Sequence, residues 1–196
     1  FHERLEAQGV KGELRVTRGR IARRLCEYAR WTDLVTLKLD HPPGASVLPR
    51  LGSGFRTLLR NCSRPALVVP ARPSPMQHGL LAYDGSPRAT EALYVAAYLA
   101  CHWGTSLEVV SVAEGDLDRS APLEHAVQYL HKQGLEASGT LLHGKAAPVI
   151  LGHAQACGAD LLLLGGYGSS PVVEAVVGST VENLLRSSPI PLLICR

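Results

Sequence analysis

Aliphatic runs, each closed by a charged residue, a proline or a glycine, set the rhythm of this chain. Asp160-Leu161-Leu162-Leu163-Leu164 has no polar interruption and reads as a strand buried on both faces. Runs at 78–83, 107–112, 136–142 and 191–196 read as further strands. Between them the apolar period changes to that of a helix. Ala92, Leu93, Ala96, Ala97 and Ala100 share one face of a segment from about 87 to 102, and Ser86-Pro87 supplies its N-cap and first turn. Helices are also predicted over 123–132, after Pro148 as far as Gly158, and from Ser179 through Thr180 to Arg186. Strand and helix alternating at this spacing imply parallel strands joined by right-handed crossovers.

The chain resembles itself at a period of about 126 residues. Asp33-Leu34-Val35-Thr36-Leu37 matches the run at Asp160, and Gly52-Ser53 matches Gly178-Ser179. Leu58-Leu59-Arg60 matches Leu184-Leu185-Arg186, and Pro65-Ala66-Leu67-Val68-Val69 matches Pro191-Leu192-Leu193-Ile194-Cys195. The join is Pro70-Ala71-Arg72-Pro73-Ser74-Pro75, which can neither continue a strand nor start a long helix. Two units follow, 1–72 and 76–196. The first has only 32 residues ahead of Asp33, so it lacks counterparts of the first strand, first helix and second strand. The chain opens on Phe1, not Met, and the expectation is that about 50 residues of the first unit exist in the natural protein upstream of this chain.

Composition narrows the function classes. Apolar residues make up 46% and aromatics only 5%, so aliphatic side chains must fill the core. No apolar run approaches the roughly 20 residues that cross a bilayer, and no signal peptide is evident. Five cysteines without a C-x-x-C pair read as free thiols in a reducing cytoplasm. Eight histidines without an H-x-x-x-H spacing give no sign of a metal site. The net charge of +3 hides an asymmetry: residues 1–75 hold 14 Lys/Arg against 6 Asp/Glu, and residues 76–196 hold 6 against 11. Few aromatics interleave the basic residues, which disfavours nucleic acid. Attraction between the two units, or an acidic partner, is the better account.

The candidate chemistry lies late in the chain. Gly165-Gly166-Tyr167-Gly168 follows the buried strand, and Gly178-Ser179-Thr180 opens the next helix. Free N–H groups and the positive end of the helix dipole favour an anion there, and glycine admits it without a Cβ in the way. A tight turn at the first glycines and a plain Gly-Ser helix cap at the second are the alternatives. Neither a G-x-x-x-x-G-K-[ST] loop nor a G-x-G-x-x-G after the first strand is present.

At these residues the chain resembles a tandem universal stress protein. Ala82-Tyr83-Asp84-Gly85-Ser86 is similar to that family's opening, and Gly144, Pro148, Ile150 and Ala159-Asp160 to its third-helix region. Gly165-x-x-Gly168-x9-Gly178-Ser179 matches its nucleotide pattern G-x2-G-x9-G-(S/T). The resemblance extends over 77–196 and more loosely over 13–70. It implies an α/β, Rossmann-like fold: an open five-stranded parallel sheet in order 3-2-1-4-5, helices on both faces, and a ligand crevice where strand order reverses. It further implies a tandem repeat with an incomplete first copy, whose own third strand would be 13–17. The fifth strands, 66–69 and 192–195, would pair antiparallel as an internal pseudo-dimer, shielding two apolar edges.

The resemblance also assigns roles. Asp84 would accept hydrogen bonds from ribose or adenine, with an Asp-Gly turn as its alternative. The Val112 backbone would pair with the adenine edge. Gly165 and Gly168 would let the loop pass under ribose and phosphates, and Gly178, Ser179 and Thr180 would donate to the β- and γ-phosphates. Ser169 and Ser170 would add hydroxyls or remain solvated. The first copy has Lys38-Leu39-Asp40-His41-Pro42-Pro43 where the first glycines belong, so one site per chain is expected.

The resulting expectation is a non-enzymatic, cytoplasmic stress-response module. It would bind ATP, with Mg2+ held by the phosphates, or AMP or another adenine nucleotide. Its partners would be an unidentified protein and a further copy of itself, with no membrane. A slow ATPase and a nucleotide-free interaction module are the alternatives. Against the first, only Glu174 follows the phosphate loop and no lysine lies near it.

Overall fold

The computed structural model describes residues 1–38, 54–70, 73–115, 118–166 and 180–196. Two short helices, α1 (His2–Ala7) and α2 (Ile21–Ala29), precede strand β1 (Val35–Lys38). Helix α3 (Gly54–Asn61) and strand β2 (Ala66–Val69) follow. Beyond the proline-rich join come β3 (His78–Ala82), α4 (Pro87–Trp103), β4 (Ser106–Ala113), α5 (Ser120–Lys132) and β5 (Ala137–His143). The chain closes with α6 (Ala146–Ala156), β6 (Leu161–Gly165), α7 (Thr180–Ser187) and β7 (Leu192–Cys195).

All seven strands join one sheet in the order β1-β2-β7-β6-β3-β4-β5. Every neighbouring pair is parallel except β2 and β7, which run antiparallel with Leu67 opposite Leu193. That pair was expected from the fifth-strand match. Its consequence is that the described strands form one seven-stranded mixed sheet, where the expectation was a parallel sheet of five. Unpaired N–H and C=O groups along Ala66–Val69 and Leu192–Cys195 would each have made an exposed edge; pairing removes both.

The Leu runs explain the core. Leu161, Leu162, Leu163 and Leu164 are at most 4% exposed, because helices cover both faces of β6. On one face α4 and α5 pack through Ala92, Leu93, Ala96, Ala126 and Leu130. On the other α6 and α7 pack through Ile150, Ala154, Val181, Leu184 and Leu185. Small side chains on α4 let its backbone approach the sheet. Its ends are set locally: Ser86 Oγ accepts the Ala89 N–H at 3.2 Å, and Gly104, at φ 71°, donates its N–H to Ala100 O at 3.1 Å. Proline falls in the first turns of α5 and α6, at Pro122 and Pro148, where its missing N–H has no intrahelical partner to lose. Both helices therefore begin earlier than the prolines suggested.

One expected strand is absent. Residues 13–17 carry no strand, and Leu14 and Val16 are 53% and 88% exposed. A strand needs a neighbour, and no described strand lies beyond β1 to pair with this one. The segment carries an exposed ion pair, Arg15 to Glu13 at 2.9 Å, which draws the Glu13 carboxyl below its usual range.

Candidate functional site

Strand order reverses beside β3. From β3 the chain steps through α4 to β4 and through α5 to β5; it then crosses the other face through α6 to β6, on the far side of β3. The crevice outside the carboxyl ends of β3 and β6 is therefore where a ligand of such a sheet is held. Asp84 stands just past the end of β3, and Gly165 is the last residue of β6. Thr180 is the first residue of α7. Gly168, Ser169, Gly178 and Ser179 lie outside the described residues, as do Ser170 and Gly52-Ser53.

Asp84 is exposed, and its Oδ1 accepts the Ser86 N–H at 2.9 Å, an Asx turn that leads into the α4 cap. The turn closes over Gly85, at φ 80°, where a Cβ would sit 3.1 Å from the Pro122 ring. Beneath it, the buried Ser111 hydroxyl donates to Tyr83 O at 2.6 Å. The carboxylate is thus held by its own turn with Oδ2 facing no donor among the described residues.

Val112 is placed by strand parity. Val110 O accepts the Tyr83 N–H at 2.9 Å and the Ser106 N–H reaches Gln77 O at 2.8 Å, so the main-chain groups of Ser106 and Val110 face β3. Alternate residues of a strand turn their N–H and C=O the same way. Val112, two further on, therefore turns its own past the point where β3 has ended at Ala82. Its side chain packs among the residues under α6 and α7, so the main chain is what it offers the crevice.

Gly165 also meets a packing requirement that the sequence reading did not include. A Cβ there would meet Ala89 N at 2.6 Å and the Arg88 carbonyl carbon at 2.7 Å. The space a side chain would fill is already taken by the first turn of α4. Gly166 is held likewise, against Cys195 O, to which it also donates its N–H. Glycine is required here by helix-on-strand packing, a need the motif spacing did not reveal.

Two arginines at helix starts were not foreseen either. Arg119, the N-cap of α5, donates from Nη1 to Asp84 O at 2.7 Å. Arg88 lies in the first turn of α4; its Nη1 is buried with no hydrogen-bond partner among the described residues, and its charge acts on the Glu91 carboxylate. The sequence signal was available in each case: both flank helix starts, where loops meet the sheet's carboxyl ends.

Comparison with known proteins agrees with this fold. The universal stress protein family model matches residues 76–196, more than half of the chain. The chain belongs to the universal stress protein family. A universal stress protein of Synechocystis is 32% identical over 148 residues, covering 74% of this chain; the chain spans 52% of that relative's length. One from Thermus aquaticus is 31% identical over 132 residues, covering 60% of this chain and 96% of its own. Among solved structures, a universal stress protein from Archaeoglobus fulgidus superposes with a TM-score of 0.83 at 23% identity, covering 99% of this chain and 72% of its own. Another, solved in complex with cAMP, has a TM-score of 0.53 at 20% identity, with 61% and 97% covered. The universal stress protein described here has, among its described residues, no helix long and apolar enough to cross a membrane.

Proposed function

We propose that this chain is a regulatory module that binds one adenine nucleotide, ATP by its phosphate-loop pattern, in the crevice between β3 and β6. The observation that carries the reading is the convergence there of the Asp84 carboxylate and the outward-turned Val112 main chain at the switch point. Asp84 and Val112 would hold ribose and adenine. Gly168, Ser169, Gly178, Ser179 and Thr180 would receive the phosphates, with Gly165 setting how close the loop lies. Arg119, bonded to Asp84 O, adds positive charge on that side, which suits a polyanion. Any Mg2+ would ride on the phosphates. The cAMP held by a structural neighbour supports an adenine ligand.

The same reading makes residues 1–72 an incomplete copy without a site and 76–196 a complete one. The succession α2-β1-α3-β2 repeats α6-β6-α7-β7, each with its two strands adjacent and parallel, and β2 meets β7 antiparallel. Nucleotide binding would be read in the cytoplasm by a protein partner, without turnover.

Calorimetric titration with ATP tests this, on the wild type and on Gly168→Val, Gly178→Val and Asp84→Ala. One site per chain, weakened at least tenfold by each glycine variant, is the expected result. No heat at millimolar ATP overturns it in favour of an interaction module. ADP formed above background in the wild type and lost in Gly178→Val overturns the non-enzymatic half.

A further inference from the structure

A second cluster of reactive side chains lies at the opposite end of the sheet. Glu108 is the third residue of β4, four positions before Val112, or about 13 Å along the strand. Its parity aims it at the α6 face, the same side as the core residues Val110 and Val112. A carboxylate on that face of an interior strand needs partners. It accepts from the Thr140 hydroxyl at 2.8 Å, and its Oε1 lies 2.7 Å from His153 Nε2. Both Glu108 and His153 are about four-fifths buried, with side chains 22% and 20% exposed. One turn on, at the C-cap of α6, stands Cys157. Its Sγ, the imidazole nitrogen and the carboxylate oxygen all lie within 4.8 Å of one another.

We propose that Glu108, His153 and Cys157 bind a divalent transition-metal cation, zinc by their chemistry. One thiolate, one imidazole and one carboxylate form a mixed S/N/O set that suits zinc and excludes the oxygen-seeking Mg2+ and Ca2+. His153 and Cys157 are four residues apart on one helix, so α6 presents both on one face, and β4 supplies the third ligand from below. Ligand atoms around tetrahedral zinc stand about 3.3–3.6 Å apart. The imidazole and carboxylate would part by about half an ångström, and the thiol would close in by at most about an ångström. Cys157 is exposed, and its thiol donates to Ala154 O at 3.6 Å; losing its proton to bind the metal would release that bond, and a side-chain rotation would bring the sulfur in.

The surroundings complete the site. Thr140 bonds Glu108 from the neighbouring strand and orients the carboxylate, as outer partners of metal ligands do. Asp160 takes no part, because both its carboxylate oxygens accept main-chain N–H groups, from His78 at 2.7 Å and Gln77 at 3.0 Å. A cavity of about 120 Å³ opens beside the cluster, lined by Glu108 and Cys157 together with His78, Ser106 and Ala159. Water takes about 30 Å³ in the liquid, so the fourth coordination position has room for water or a small exogenous donor. Three protein ligands with an open fourth position is the arrangement of an exchangeable site.

The test uses the full chain, stripped with chelator and titrated with Zn2+ and separately with Co2+. One equivalent of either metal per chain is expected, and the cobalt complex should show a thiolate-to-metal charge-transfer band. Cys157→Ser should abolish that band and weaken zinc binding at least tenfold, as should His153→Gln. Cys101→Ser, an exposed thiol elsewhere, should change neither. Because the crevice at Asp84 lies at the other end of the strands, ATP titration should be unaltered in Cys157→Ser. The proposal is overturned if binding is far below one equivalent, if the charge-transfer band is missing, or if folded Cys157→Ser binds zinc as tightly as the wild type.

Discussion

Gly165→Ala isolates what the glycine after β6 does for the fold. The added methyl would stand 2.6 Å from Ala89 N and 2.7 Å from the Arg88 carbonyl carbon. Ordinary van der Waals contact begins at 3.4 Å, so the first turn of α4 must back away by about 0.8 Å. Both obstructing atoms are backbone, so no rotamer change relieves the clash. Moving the turn loosens the packing of Ala89, Ala92 and Leu93 on the sheet, all at most 2% exposed. Overpacking of this kind costs about 1–3 kcal/mol, and an unyielding backbone puts it at about 2 kcal/mol or more. For a chain of this length that is a fall in Tm of about 4–8 °C. Urea unfolding followed by circular dichroism measures it directly. Gly152→Ala is the paired control. It lies in an exposed stretch of α6 with nothing within 4 Å of the new Cβ, and helix propensity predicts a gain of about 1 kcal/mol. If Gly165→Ala unfolds within about 0.5 kcal/mol of the wild type, the packing argument is wrong and the glycine is free to serve a ligand.

Two further outcomes follow from buried ionisable groups. Burial, partly offset by Arg196 and Arg88, holds the Glu91 carboxyl above the usual carboxylate range. The folded chain therefore takes up that proton before the unfolded chain does, and stability rises as pH falls from 7 through the raised value toward about 4.5, where the unfolded carboxyl also titrates. Urea midpoints measured from pH 7 to 5 should rise less in Glu91→Gln than in the wild type; equal slopes contradict the assignment. Burial first, and the Glu91 carboxylate second, push the Cys195 thiol up to about 12. Alkylation of the native protein at pH 8, mapped by mass spectrometry, should label exposed Cys101 and spare Cys195 until denaturant is added.

The parts of this fold that could be read from sequence are those where one residue type meets one local requirement. Four consecutive leucines need two covered faces, and β6 has them. Ser86-Pro87 can start a helix, and Ser86 Oγ is found on the Ala89 N–H. What could not be read depends on a neighbour distant in sequence. Residues 13–17 alternate like a strand, but alternation does not supply a partner. Gly165 sits in a nucleotide motif, yet its close contact is with a helix that starts 78 residues earlier, at Pro87. His153 and Cys157 are spaced as helical ligands and could have been noticed, because a search restricted to paired histidines passes over a histidine-cysteine pair. Glu108 could not, since only the crossover from β5 to α6 brings that strand beneath His153.

Strand β4 connects these observations. One row of its side chains, Leu107 and Val109, is ordinary core beneath α4 and α5. Its other row runs Glu108, Val110, Val112, and packing requires only Val110 to be buried to 0%. At the carboxyl end the strand runs three residues past its last β3 partner, since Ala82 pairs with Val110 and β4 continues to Ala113. That overhang leaves the Val112 N–H and C=O beyond the β3–β4 ladder, and the proposed nucleotide would use them. At the amino end an ionisable side chain, Glu108, takes the place of an aliphatic one beneath the last turn of α6. The two departures from a fully satisfied α/β layer lie at opposite ends of one strand and point differently: the Val112 main chain turns within the sheet plane toward the β3 edge, and the Glu108 side chain rises out of the sheet toward α6.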